Sequence, residues 1–263
     1  IVDYTNFLKI YYKHIKATKN EAKIIDGKIN SIKNWNKAKK SPEIEDWVYK
    51  ILEPNLITGA LIHSKKYETA VSVLEAKMVT QLVLGYFVMN FSNLSQISPV
   101  ELEKAQIKFW KDQIGIVAPH NAQSRLIIRQ IYQKLVESDL NILTEGKLMQ
   151  LLRETIFSVE KFQGSARDFI IASIGISAID QLIGEEDFIY NLNRFNVLSS
   201  RARAKFILIS SQNYLTYIPN DQEAMQSASK IRRFALNYCS SEESFKVIDD
   251  KSDEQIIRLR MKI

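Results

Sequence analysis

Phe169-Ile170-Ile171-Ala172-Ser173-Ile174 decides the fold. A strand with one wet face places a polar residue at every second position, whereas this run is apolar on both sides of the pleat until Ser173. Such a strand is buried on both faces, as in a parallel sheet covered by helices. Phe206-Ile207-Leu208-Ile209-Ser210 reads the same way, as do Leu56–Ile62, Ile114–Ala118 closed by Pro119, and Thr155–Val159. Between them the spacing predicts helices over Tyr67–Phe91 and Pro99–Asp112, and one with Ala122, Ile128, Ile131 and Leu135 on a single face. The expectation is an α/β fold, a mostly parallel sheet flanked by helices.

The two ends of the chain differ from this middle. Residues 1–40 hold ten lysines against Asp3, Glu21 and Asp26, so the net charge of +6 is concentrated there. Apolar residues at helical spacing (Phe7, Ile10, Tyr11, then Ile24, Ile25, Ile29, Ile32) make residues 1–50 a basic helical lead-in. A solvated helical face and a surface that meets phosphates are both open readings of it. Near the other end, Ala224, Ala228, Ile231, Ala235 and Tyr238 share a helical stripe, and residues 241–263 read as a polar tail. The most apolar stretch, Ala70–Phe91, is interrupted by Glu75 and Lys77, so a buried helix is expected and no membrane association. The start at Ile1, without methionine or signal-peptide pattern, reads as an excised piece of a protein that is not secreted.

Cys239 is the sole cysteine, which excludes an intrachain disulfide and a cysteine-based zinc site and suits a reducing cytosol. His14, His63 and His120 lack ligand spacing, so no metal site is expected from them.

Three segments beside the strands carry chemistry. Ser158-Val159-Glu160-Lys161-Phe162-Gln163-Gly164 ends in a turn whose amide and backbone donors suit a phosphate or a base, although on spacing alone a tight polar turn is the favoured reading. Asn193-Arg194-Phe195-Asn196-Val197-Leu198-Ser199-Ser200-Arg201-Ala202-Arg203 puts three arginines ahead of a buried strand, either facing an anion or in ordinary ion pairs. Ile114–Gln123 is a strand, a Pro119-His120 turn and a helix start at which Asn121 is placed to cap.

Together these segments resemble the superfamily 1 helicases of the Upf, Dna-two and senataxin group. The first is similar to their motif V (valine, an acidic residue, any residue, Phe-Gln-Gly). The second is similar to motif VI (Arg-x-Asn-Val, then Ser/Thr-Arg-Ala-Arg/Lys), and the third to the motif IV strand and turn. The acidic Ile183–Phe188 stretch ahead of motif VI also fits, and the match runs from about Leu52 to Ser211. The resemblance implies that residues 51–240 form the second RecA-like, P-loop NTPase-type domain of such a motor, with a helical N-terminal extension. Its implied ligands are ATP and Mg²⁺, held mainly by a first RecA-like domain elsewhere in the same protein, and single-stranded DNA or RNA. It also implies 5′ to 3′ movement and a cytoplasmic location, or a nuclear one in a eukaryote. Residue by residue, Arg201 would be the arginine finger, and Gln163, Gly164, Arg194 and Arg203 would line or brace the nucleotide cleft. Ser158, Pro119, His120 and Asn121 would lie along the nucleic acid.

The sequence departs from the family at Ala166, where glutamate is usual, at Ala118, where threonine often stands, and at Leu198, where alanine is usual. It has no G-x-x-x-x-G-K-[ST] P-loop, no Asp-Glu pair at a strand end and no Tyr-Arg-Met segment, the last expected just upstream of Ile1. The chain alone is therefore expected to be inactive. The alternative reading is a degenerate helicase-like scaffold or nucleic-acid-binding module without ATP turnover, which Ala166 and Ala118 favour. The helical region 67–112 is a further candidate surface for protein partners, although core packing accounts for most of its apolar residues.

Overall fold

The apolar runs pair in parallel, in an order the chain does not follow. The computed structural model describes residues 44–53, 55–91, 98–157, 166–249 and 252–262. The lead-in before residue 44, and Ser158, Gln163 and Gly164, lie outside the described residues. Helix α1 (Asp46–Leu52) leads to strand β1 (Thr58–His63) and helix α2 (Val73–Phe91). Helix α3 (Pro99–Lys108) opens on a capping box between Ser98 and Glu101 and runs through a π turn, Phe109–Gln113, into β2 (Ile114–Val117). Then come α4 (Asn121–Val136), α5 (Glu145–Thr155), β3 (Ile156–Phe157) and β4 (Arg167–Ser173). Short helices α6 (Ile179–Gly184) and α7 (Glu186–Ile189) precede α8 (Leu192–Ser200), which turns into β5 (Ala202–Ser211). The chain closes with α9 (Gln212–Thr216), α10 (Gln222–Arg233) with its π turn Phe234–Tyr238, and strands β6 (Ser241–Ile248) and β7 (Glu254–Lys262).

The sheet has seven strands in the order β3-β2-β4-β5-β1-β7-β6. The first five are mutually parallel, and β7 joins β1 antiparallel. Helices cover both faces. Leu61, Ile116, Ile171, Ile207 and Ile209 point into one core with α1 to α5, and Ala60, Ile170, Ala172, Phe206 and Leu208 into the other with α6 to α10. The mostly parallel α/β sheet expected from the apolar runs, and the RecA-like fold that the resemblance implies, are what is observed.

Two expectations change. The segment expected as a polar tail forms the β6–β7 hairpin, because Ile257, Leu259 and Met261 alternate with Arg258, Arg260 and Lys262 and bury themselves against β1. The helix expected from Tyr67 begins at Val73. Ser72 caps it by accepting the Glu75 N–H at 3.0 Å, and Tyr67 has a left-handed φ of 70° that no helix accommodates. Of α2, Leu74, Glu75, Ala76 and most residues to Phe91 are buried, so its apolar residues are core. No helix among the described residues is long and apolar enough to cross a membrane.

Candidate functional site

Parallel strands give the sheet two chemically different edges, and the sequence-predicted residues divide between them. Arg201 and Arg203 flank the start of β5 at the amino edge. Arg167 opens β4 directly beside them, in register with Ala202, its N–H donating to the Arg201 carbonyl at 3.0 Å. Arg203 is engaged internally: Nε lies 2.8 Å from Asp168 Oδ1 and Nη2 donates to the Asp112 carbonyl at 2.7 Å. It braces β5 to β4 and to the turn before β2. The Nε of the half-buried Arg201 has no hydrogen-bond partner among the described residues. Burial, the largest cause, pulls the Arg167 guanidinium below its usual range; Asp112 opposes this, Arg203 adds to it, and Asp168 also opposes it. Three guanidinium groups on adjacent strand starts, with Asp168 and Asp112 between them, leave an edge with surplus positive charge. That surplus is what an anionic ligand requires.

Pro119, His120 and Asn121 sit at the opposite, carboxyl edge, after β2. The structure places His120, not Asn121, at the N-cap of α4, without a side-chain cap bond; Asn121 is the first helical residue and is exposed. His120 is occupied elsewhere: its Nε2 is 3.0 Å from Glu185 Oε2 and its ring centre 5.8 Å from that of Phe188. Arg194 joins this group rather than Arg201. Its guanidinium lies 4.1 Å over the Phe188 ring, and Nη1 donates to the Phe188 carbonyl at 3.1 Å. Arg201 follows seven positions later, just past the end of α8, about 10 Å along the axis. The acidic stretch 183–188 is therefore a clasp on the motif IV turn, made by the ends of α6 and α7.

Beneath this edge is a junction that sequence reasoning missed. Glu75, fully buried, takes His63 Nε2 at 3.0 Å on one oxygen; the other accepts the Ser173 hydroxyl at 2.7 Å and the Gly175 N–H at 2.9 Å. Gln123 accepts from Ser72 N at 2.9 Å and donates to the Ser72 carbonyl and to Ser173 Oγ, both at 3.1 Å. Gly175, at φ 75°, gives the chain the turn that delivers its N–H to Glu75. One buried carboxylate and one buried amide thus tie β1, β4, α2 and α4 together. The available signal was Glu75 inside an otherwise apolar helix, a charge that needs partners when buried.

The family described as an AAA domain matches residues 10–213. Among curated proteins, the chain is similar to the DNA replication ATP-dependent helicase/nuclease JHS1 of Arabidopsis thaliana, 28% identical over 106 residues. That match covers 40% of this chain and 7% of the relative.

Proposed function

We propose, for a chain that belongs to the AAA domain family found in Upf-, Dna-two- and senataxin-like helicases, that it is the second motor domain of an ATP-driven translocase on single-stranded nucleic acid. One observation carries this reading. Of the two motif VI arginines at the start of β5, Arg203 is committed to Asp168 and Asp112, whereas Arg201 keeps an unpartnered Nε among the described residues, on an edge with surplus positive charge. A guanidinium so placed suits the charge that develops on a transferring phosphoryl group. Arg201 is the finger in this reading, with Arg203 and Asp168 holding it in place and Arg194 anchoring the far end of α8. ATP and Mg²⁺ supply the phosphoryl chemistry when bound, chiefly on the first RecA-like domain, and this chain alone is expected not to turn over. The carboxyl edge, with Pro119, His120 and Asn121, faces the nucleic acid.

The test is steady-state and single-turnover ATP hydrolysis by the full-length protein, with and without single-stranded DNA or RNA, in wild type and Arg201→Ala. The expected result is polymer-stimulated hydrolysis that falls by about 10³-fold or more without Arg201. Stimulated hydrolysis indifferent to Arg201 removes the finger assignment. Folded wild type without stimulated hydrolysis selects the scaffold alternative, which Ala166 at the motif V position favours.

A further inference from the structure

Tyr67 is the most exposed large hydrophobic side chain among the described residues, at 86%, and its backbone is left-handed at φ 70°. That conformation is uncommon for a bulky residue and persists only where the surrounding structure imposes it. The imposing contacts lie on either side. Glu68, the next residue, donates its N–H to Ser177 Oγ at 2.9 Å, and its carbonyl accepts from Ser177 N and Ala178 N, both at 2.8 Å. Ser72 is held by Gln123, and Lys65 pairs with Asp249 at 3.2 Å. The loop is fixed at three points while the ring it carries is turned out into solvent.

The loop follows β1 and so lies on the carboxyl edge, the edge that also carries Pro119, His120 and Asn121. Three strand spacings separate β2 from β1 in the sheet, about 14 Å, within reach of one short single strand laid across the strand ends. Lys66, the exposed residue that precedes Tyr67 in the chain, supplies a positive charge for a backbone phosphate. We infer that Tyr67 is a stacking platform for a nucleobase of single-stranded nucleic acid, with Lys66 on the adjacent phosphate. This rests on the translocase reading and adds to it a base contact, at a position that none of the helicase-like segments includes. A rigidly presented, solvent-facing aromatic next to a lysine has the two features that sequence-tolerant single-strand binding uses. A protein partner seated on the same ring would not distinguish a base from its absence.

The experiment measures fluorescence anisotropy of a labelled oligothymidylate, and of an abasic oligomer of equal length and charge, with wild type, Tyr67→Phe, Tyr67→Ala and Tyr67→Gly. Expected is a preference of wild type for thymidylate over the abasic strand, kept by Tyr67→Phe. Loss of the ring weakens thymidylate binding by about 5- to 100-fold, to the abasic level. Tyr67→Gly suits the left-handed backbone, so it should raise Tm while losing the preference, which separates recognition from folding. Lys66→Ala lowers the salt dependence on both strands by about 0.7 in log-log slope. Thymidylate binding that keeps its base preference in both Tyr67→Ala and Tyr67→Gly overturns the inference and leaves the translocase reading standing. Wild type that binds neither strand overturns the nucleic-acid track itself.

Discussion

Replacing Lys205 by methionine tests how the interior under the arginine edge handles charge. Lys205 lies on β5, 4% exposed, and its Nζ donates to the carbonyls of Glu53, at 3.0 Å, and of Leu56, where α1 gives way to β1. Burial lowers its pKa from 10.5 to about 7 against the opposing pull of Glu53. Losing the proton sacrifices neither bond, because a neutral amine still has two N–H donors for two carbonyls. Below pH 7 both the folded and the unfolded chain hold the proton and Lys205 adds no slope. Between pH 7 and 10.5 the unfolded chain keeps the proton and the folded chain has released it, so stability rises with pH. The slope approaches about 1.4 kcal/mol per pH unit, with a ceiling of about 5 kcal/mol over the whole interval. Urea unfolding of wild type and Lys205→Met at pH 6.5, 8 and 9.5 isolates this slope, since every other titrating group is shared. The expected result is a wild-type advantage that grows by about 3 kcal/mol between pH 6.5 and 9.5. Parallel curves would refute the argument and show that the two carbonyls hold a charged ammonium throughout.

Gly85→Ala tests packing between α1 and α2. A helical glycine normally gains about 1 kcal/mol on becoming alanine, but here the new Cβ stands 2.6 Å from Val48 Cγ1 and 3.1 Å from Leu52 Cδ1. A net loss of about 1–2 kcal/mol in chemical denaturation is expected, largely reversed by adding Val48→Ala. Arg201→Ala and Arg203→Ala should separate turnover from structure. The first leaves Tm within about 1 °C, while the second costs about 1–2 kcal/mol by releasing the Asp112 carbonyl and Asp168. Equal melting losses in the two variants would contradict the division of labour between them.

The sheet was legible because its strands are buried on both faces, and such strands are apolar throughout. Strand order was not, since it depends on which distant runs pair. The register of Arg167 with Ala202, which gathers the arginine edge, follows from that pairing. The hairpin shows the opposite failure. Ile257-Arg258-Leu259-Arg260-Met261-Lys262 alternates strictly, but the acidic stretch before it and the arginines within it hid the pattern, and those arginines turn out to reach back into the fold. Arg260 donates to the carbonyls of Cys239 and Leu236 at 3.1 and 2.8 Å. Glu75 was visible only as a break in an apolar run. Its meaning depends on His63, Ser173 and Gly175 arriving from two strands, which no local spacing encodes. Arg194 was grouped with Arg201 because both lie in one motif, yet a straight helix keeps its two ends apart.

On the proposed reading, the phosphate-facing and track-facing edges of this domain are opposite edges of one sheet, so whatever couples them must cross the layer. Local deformation is an unpromising carrier. β4 and β5 run from one edge to the other through a core whose side chains are almost wholly buried, and close-packed interiors transmit displacement rather than absorb it. The carboxyl edge is stiffened further by Glu75 and Gln123, whose polar partners are themselves buried and hydrogen-bonded. Helix α8, about 13 Å long, runs beside them for part of that distance, with Arg194 on Phe188 near one end and the start of β5 at the other. A force applied at Arg201 is therefore expected to move His120, Tyr67 and the Glu75 junction together, as one body. The flexible element of the motor then belongs between its two RecA-like domains, and variants of Glu75 or Gln123 should weaken strand binding without first altering the response to nucleotide.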